Sequence, residues 1–154
     1  MFTKNYYTDL FKVTEAQLQE LTATALKHGG DYCDLYFEHT TFFNLLLKDS
    51  IVSSGGFHTD FGVGIRVLKG EKTGYAYSEN TEMKDMLGAA KAASAIANGS
   101  SSARREYNPV DSRQHDLYPM RENWRDKGAN AFLPFLNNLE KAILAKDNRI
   151  VKVI

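Results

Sequence analysis

The first hydrophobic pattern along the chain is that of an amphipathic helix. Thr14 is a suitable N-cap, and Gln17, three residues later, completes a capping box. The apolar residues that follow recur at helical spacing: Leu18, Leu21 and Ala25. The pair Gly29-Gly30 then supplies a stop, so the sequence predicts a helix between Thr14 and these glycines.

After these glycines the period changes from that of a helix to that of a strand. From Tyr32 to Thr41 the residues alternate between two faces. One face carries Cys33, Leu35, Phe37 and His39, and the other carries Tyr32, Asp34, Tyr36 and Glu38. Further strand-like runs follow at 42–47, 51–55, 62–68 and 73–77, with turns at 48–50 and 69–72. Such short connections favour antiparallel hairpins, because parallel strands need crossovers of a dozen or more residues.

Two more helices and one more strand are predicted in the rest of the chain. Thr81 can cap a helix whose apolar stripe consists of Met83, Met86, Leu87, Ala90, Ala93 and Ala97. A third helix is predicted from Ala131 to Lys146, with Pro134 tolerated in its first turn. Residues 98–119 show no period and are predicted to form a long loop. Residues 149–154 begin an apolar strand in which the sequence stops, so we expect a fragment of a longer protein.

These elements predict an α+β fold. It is mainly an antiparallel sheet of about five to six strands, with two to three packing helices, in a single domain over residues 1–154. The first residues contain no apolar segment typical of a secretory signal, and no stretch approaches the length of a membrane span. We therefore expect a cytoplasmic protein that does not bind membranes.

The charge balance argues against nucleic acid as a partner. Nineteen basic residues offset nineteen acidic ones, and no basic stripe is visible. The densest basic pair, Arg104-Arg105, lies in the predicted loop, where a solvated role is favoured. Nucleic-acid binding normally recruits many more basic contacts.

The residue types that carry chemistry form no complete site. None of the four histidines lies within five residues of another, so no helical pair of zinc ligands exists and no metal or other cofactor is expected in this chain. Cys33 is interpreted as a core residue.

The Gly62-Val63-Gly64 triplet lacks the third glycine of a dinucleotide loop, so both glycines are interpreted as packing positions. Replacing both with alanine is predicted to lower stability by roughly 1–2 kcal/mol or more.

Three segments nevertheless resemble a known family: residues 34–38, 60–67 and 70–77. They are similar to the amino-terminal region of the TldD/PmbA family of zinc-dependent peptidases, also described as modulators of DNA gyrase. The resemblance is dense from about Asp31 to Ala97, and its motif positions are Asp34, Tyr36, Gly62, Gly64, Arg66, Gly74 and Tyr75. It implies an intracellular peptidase that trims small or unfolded polypeptides and acts as a TldD/PmbA pair.

The family's metal motif, His-Glu-x-x-x-His, lies downstream of this region and occurs nowhere in this sequence. The resemblance therefore implies no catalytic or metal-binding residue in this chain, and it implies that zinc is held in the full-length parent. We expect the chain to be a non-catalytic amino-terminal domain, cut before the metal-binding part, that contacts the downstream domain, a partner subunit and peptide substrate. The alternative is a stand-alone interaction module without enzymatic activity. A further interpretation of the aromatic residues in the sheet is that they line a peptide-binding groove.

Overall fold

The computed structural model describes residues 7–97, 121–122 and 124–154. The chain divides into two compact units, which we call the first unit (residues 1–40 and 60–114) and the second unit (residues 41–59 and 115–154). The single domain predicted over residues 1–154 stays a prediction. The predicted loop at 98–119 lies outside the described residues.

The fold is α+β with an antiparallel sheet, as predicted. A π-helical turn, Tyr7–Phe11, precedes helix α1 (Glu15–Leu26), strands β1 (Tyr32–Lys48), β2 (Ile51–Lys69) and β3 (Lys72–Ser78), helix α2 (Met83–Ser94) and helix α3 (Leu133–Leu144). Short 3₁₀ turns cover Ala95–Ala97, Trp124–Asp126 and Ala129–Ala131. The sheet has the order β1-β2-β3, and β2 pairs with β3 from Val63 opposite Ser78 to Lys69 opposite Lys72.

The capping box at the start of α1 is confirmed. The Gln17 N–H donates to the Thr14 hydroxyl at 3.4 Å, and the Thr14 N–H donates to the Gln17 side-chain oxygen at 2.9 Å. These two bonds satisfy backbone donors that the first helical turn would otherwise leave unpaired. Leu21 and Ala25 are fully buried, so the predicted apolar stripe does face the core.

The number of strands was predicted wrongly: the described residues form three, not five to six. The predicted runs at 32–41 and 42–47 are one strand, β1, and those at 51–55 and 62–68 are one strand, β2. Gly55 and Gly56 do not end β2. A Cβ on Gly55 would lie 2.8 Å from Leu45 Cδ1 and 3.1 Å from the Asn44 carbonyl oxygen. Gly55 therefore permits close approach of the neighbouring strand, which is a common role of glycine inside a sheet.

The predicted strand at the end of the chain is also wrong, since residues 150–154 have no regular structure. The Val153 carbonyl oxygen accepts a hydrogen bond from the Asp49 N–H at 3.4 Å. Asp49 lies in the turn after β1, outside the strand. This single hydrogen bond is therefore not part of a series of strand-to-strand hydrogen bonds.

The first unit holds the hydrophobic core. The residues that form it are Phe11, Val13, Leu21, Ala25, Val63, Ile65, Val67, Met86, Ala89, Ala90 and Ala93. They come mainly from α1, α2 and alternate positions of β2, so α1 and α2 cover one face of the sheet within the first unit. Burial of a side chain the size of Ile65 or Met86 contributes about 1.5–3 kcal/mol. The Thr81 hydroxyl ties the start of α2 to the chain before α1 by donating to the Phe11 carbonyl oxygen at 2.6 Å.

The second unit is held by aromatic contacts and one buried carboxylate. The ring centroid of Phe43 lies 4.8 Å from that of Phe57 and 5.2 Å from that of Phe132. Glu140 on α3 is 4% exposed, and its carboxylate accepts hydrogen bonds from the Ser50 N–H at 2.8 Å and the Ser50 hydroxyl at 2.6 Å. This contact fixes the hairpin turn against α3, because a buried carboxylate needs such donors.

Candidate functional site

The candidate site is the face of the sheet opposite the helices, in the first unit. On β1, Cys33, Leu35 and Phe37 pack against the core, so the alternating residues point to the other side. The same argument applies to β2, where Val63, Ile65 and Val67 are buried, and to β3, where Gly74 approaches α2. We call this side the outer face and define it by Tyr32, Asp34, Tyr36, Gly64, Arg66, Tyr75 and Tyr77.

An ion pair lies at the centre of the outer face. Arg66 Nε donates to Asp34 Oδ1 at 2.8 Å, and Arg66 Nη2 donates to Asp34 Oδ2 at 3.1 Å. The hydrogen bond with Asp34, and then the charge of its carboxylate, raise the pKa of Arg66. Because the bond is bidentate, it fixes the orientation of both side chains and links β1 to β2.

Four tyrosines surround this ion pair and remain exposed. Tyr75 lies opposite Arg66, and Tyr77 lies opposite Gly64, in the register of β2 and β3. The exposed fractions are 51% for Tyr32, 62% for Tyr36, 63% for Tyr75 and 66% for Tyr77. Tyrosine and arginine are among the residue types most enriched where proteins bind other molecules.

The side chain of Tyr75 lies over Gly64 on the outer face of the sheet. A Cβ on Gly64 would be 2.7 Å from the Tyr75 hydroxyl oxygen and 3.1 Å from Tyr75 Cε2. The tyrosine ring therefore occupies the space that a side chain at position 64 would need. As a result, the outer face is flat at Gly64 and has no depression there.

The structure brings together five of the seven predicted motif positions. Asp34, Tyr36, Gly64, Arg66 and Tyr75 share the outer face, whereas Gly62 and Gly74 approach backbone atoms, namely the Ser78 and Ala93 carbonyl oxygens. Tyr32 and Tyr77 belong to the same face but were missing from the predicted set. The alternation of side chains along β1 and β3 was the signal that could have identified them.

The described histidines and acids do not form a metal centre. Within the described ranges there is no group of three or more His, Cys, Asp or Glu side chains that could hold a metal ion. The His39 ring lies edge-on to Phe61, with centroids 5.7 Å apart, and the His58 ring stacks on Phe42 at 6.0 Å. A catalytic zinc takes about three protein ligands, and the described residues bring no such set together.

A serine and a histidine do lie within hydrogen-bond distance, but the serine is inaccessible. Ser94 Oγ is 3.1 Å from His28 Nδ1, and Ser94 is fully buried. A nucleophile must reach its substrate, so this pair does not support hydrolysis. Its evident effect is structural, because it connects the end of α2 to the segment after α1.

Cys33 is a poor nucleophile in this position. Burial, and secondarily the negative charge of Asp34, raise the pKa of the thiol to about 11. The reactive thiolate is therefore scarce at neutral pH.

We expect Cys33 to react with iodoacetamide at pH 8 about 100-fold more slowly than a cysteine in an unfolded peptide, because the thiolate fraction is lower by about that factor. The rate in the folded protein should rise up to about pH 11. Mass spectrometry of alkylated protein over a pH series measures both quantities, with urea-unfolded protein as the control. A native rate equal to the unfolded rate would contradict the assignment of Cys33 as a core residue.

No helix in the described part of the chain is long and apolar enough to cross a membrane.

Comparison with known proteins identifies the class of domain. Residues 33–97 match the family model described as PmbA/TldA metallopeptidase domain 1. This range contains all three strands except the first residue of β1, together with α2. The chain therefore carries an amino-terminal domain of the TldD/PmbA family, as the sequence resemblance implied.

Individual relatives agree with this family assignment. The chain is 33% identical over 129 residues to a Haemophilus influenzae protein named Metalloprotease TldD homolog, and the match covers 80% of this chain and 26% of that protein. It is 37% identical over 79 residues to the protein of the same name from Buchnera aphidicola subsp. Acyrthosiphon pisum, covering 51% of this chain and 16% of that protein. The chain thus spans about a quarter or less of the length of these relatives.

Proposed function

We propose that this chain is a non-catalytic amino-terminal domain of a TldD-like zinc-dependent peptidase that trims small or unfolded polypeptides. The observation that carries the proposal is the match of residues 33–97 to the first domain of this metallopeptidase family. The names of the relatives support peptidase activity for the parent protein.

In this proposal the chain contributes to pairing and to substrate access. The outer face supports such a role because four exposed tyrosines surround a bidentate Arg66–Asp34 pair. Zinc would be held by the family's His-Glu-x-x-x-His motif in the downstream part of the parent, which this domain would contact.

The same face favours a second candidate, a stand-alone interaction module without enzymatic activity. A large exposed aromatic patch on a domain commonly marks a binding surface. The two candidates differ in whether the reading frame continues beyond residue 154 and encodes the His-Glu-x-x-x-His motif.

The decisive experiment compares this chain with the protein from the complete reading frame. Zinc content by elemental analysis and cleavage of an unfolded polypeptide should be measured on both samples. We expect about one zinc per chain, with cleavage, only in the longer protein. Stoichiometric zinc or cleavage in the 154-residue chain would refute the non-catalytic role, and a longer protein without either would favour the interaction module.

A further inference from the structure

We propose that the outer face binds proline-rich polypeptide segments in the polyproline II conformation. The contact would consist of three rings, those of Tyr36, Tyr75 and Tyr77, which together cross the three strands. This inference deepens the proposed function and rests on it, because it names a class of polypeptide that the parent would admit. Binding to the 154-residue chain is measured separately from zinc content and cleavage, so the two proposals can fail independently.

Two side-chain contacts define the register between β1 and β2 in the first unit. Asp34 on β1 pairs with Arg66 on β2. Further along the same strands, the His39 ring contacts the Phe61 ring, with centroids 5.7 Å apart. Both contacts fit a single antiparallel register, with no extra residue on either strand between them.

That register places one ring over each of the three strands. Tyr36 on β1 lies opposite Gly64 on β2, and Tyr77 on β3 lies opposite Gly64 from the other side. The Tyr75 ring covers Gly64, since its hydroxyl oxygen is 2.7 Å from the place of a Cβ there. Tyr36 and Tyr77 are therefore two strand spacings apart, about 9.6 Å, with the Tyr75 ring between them.

This spacing matches the repeat of a polyproline II helix. That helix has three residues per turn and rises about 3.1 Å per residue, so equivalent side chains recur about every 9.3 Å. In a segment that crosses the strands, prolines at positions i and i+3 would contact Tyr36 and Tyr77. The residues between them would lie over Tyr75. Aromatic side chains are the usual partners of such segments.

The hydrogen-bonding groups of the outer face also suit this conformation. The backbone N–H and C=O groups of β2 are used in pairing with β1 and β3, so a segment on the face cannot join the sheet as a further strand. A polyproline II segment makes no internal hydrogen bonds, and its carbonyl oxygens remain free to accept. The exposed tyrosine hydroxyls can donate to them.

The charge and the shape of the face favour an uncharged segment that is already ordered. The row of Tyr36, Gly64 and Tyr77 carries no charged side chain, and the charges of Arg66 and Asp34 beside it neutralise each other. The face is flat at Gly64, so no deep pocket offsets the cost of ordering a flexible chain. A polyproline II segment avoids most of that cost, because it is ordered before it binds.

The test is the binding of a decaproline peptide with blocked ends and a fluorescent label to the 154-residue chain, followed by fluorescence anisotropy. We expect it to bind at least about 10-fold more tightly than a Gly-Ser peptide of the same length, which is flexible. Tyr36→Ala and Tyr77→Ala should each weaken decaproline binding at least about 10-fold. The control is Phe135→Ala, which removes a ring of similar exposure (68%) in the second unit and should leave binding unchanged.

A second measurement uses the native chain, so it does not depend on the folding of a variant. With 3-fluorotyrosine incorporated, the ¹⁹F resonances of Tyr36, Tyr75 and Tyr77 should shift when decaproline is added. The resonance of Tyr32, four residues before Tyr36 on β1, should shift less. Equal affinity for the two peptides, or equal losses in Tyr36→Ala and Phe135→Ala, would overturn the proposal. So would tyrosine resonances that shift with protein concentration alone, since a second copy would then cover the face.

Discussion

Replacing Gly62 with alanine should lower the free energy of unfolding by about 3 kcal/mol or more. Gly62 has φ +147°, a conformation that side chains rarely adopt. A Cβ there would lie 2.1 Å from the Ser78 carbonyl oxygen and 3.1 Å from Glu79 Cα. Both obstacles are backbone atoms, so the strand pair itself would have to move. Urea unfolding followed by circular dichroism measures the change.

Two other glycines provide controls for this experiment. In Gly64→Ala the new Cβ would contact the hydroxyl end of the Tyr75 side chain, which can rotate away. We therefore expect the free energy of unfolding to fall by less than about 1 kcal/mol. Gly88→Ala lies in α2 with no atom within 4 Å of the new Cβ and should stabilise the protein by about 0.5–1 kcal/mol. Equal losses at positions 62 and 64 would contradict this account. The prediction of roughly 1–2 kcal/mol or more for the double replacement is thus assigned mostly to Gly62.

Replacing Gly74 with alanine should also cost about 3 kcal/mol or more, for a different reason. The Cβ would lie 2.1 Å from the Ala93 carbonyl oxygen and 2.5 Å from Ile96 Cγ2. Gly74 therefore sets the distance between β3 and the end of α2. Thermal unfolding of the variant should show a clearly lower midpoint.

A double variant separates the two contacts of Gly74. Truncating Ile96 to alanine removes the side-chain clash but not the contact with the Ala93 carbonyl. The losses in Gly74→Ala, Ile96→Ala and the double variant should therefore be less than additive, with only partial recovery. Strict additivity would mean that Ile96 does not oppose the new methyl group.

The local features of the fold were predictable because they depend on residues close in sequence. The Thr14 capping box needs only a hydroxyl side chain and a glutamine three residues apart. Likewise, Pro134 lies in the first turn of α3, and it placed the start of that helix to within two residues: Ala131 was predicted, and the helix begins at Leu133. The strand count failed because Gly55 can either end a strand or admit a close neighbour, and only the position of Leu45 decides between these.

The outer face was predictable in part. The alternation of residues along β1 is enough to place Tyr32, Asp34 and Tyr36 on one side of the sheet. The pairing of Asp34 with Arg66 depends instead on the register between strands whose contacting residues are 32 positions apart. That register depends on the turn between β1 and β2, where Asp49 (φ 50°) and Ser50 (φ 63°) both adopt left-handed conformations. Glycine and asparagine are the residues that usually mark such a turn in a sequence, and neither is present here. Sequence pattern alone therefore could not bring the two side chains together.

The bond between Ser50 and Glu140 joins residues 90 positions apart, which has a consequence for the order of folding. Strands β1 to β3 and helices α1 and α2 are complete once residue 94 has been synthesised, whereas α3 ends at Leu144. Contacts between distant residues form late, because a long loop must close first. A ribosome adds about 5–20 residues per second, so the interval between synthesis of Phe43 and Phe57 and synthesis of Phe132 and Glu140 is on the order of 10 s. The rings of Phe43 and Phe57 would lack their Phe132 partner during this interval, when exposed apolar surface is prone to aggregation.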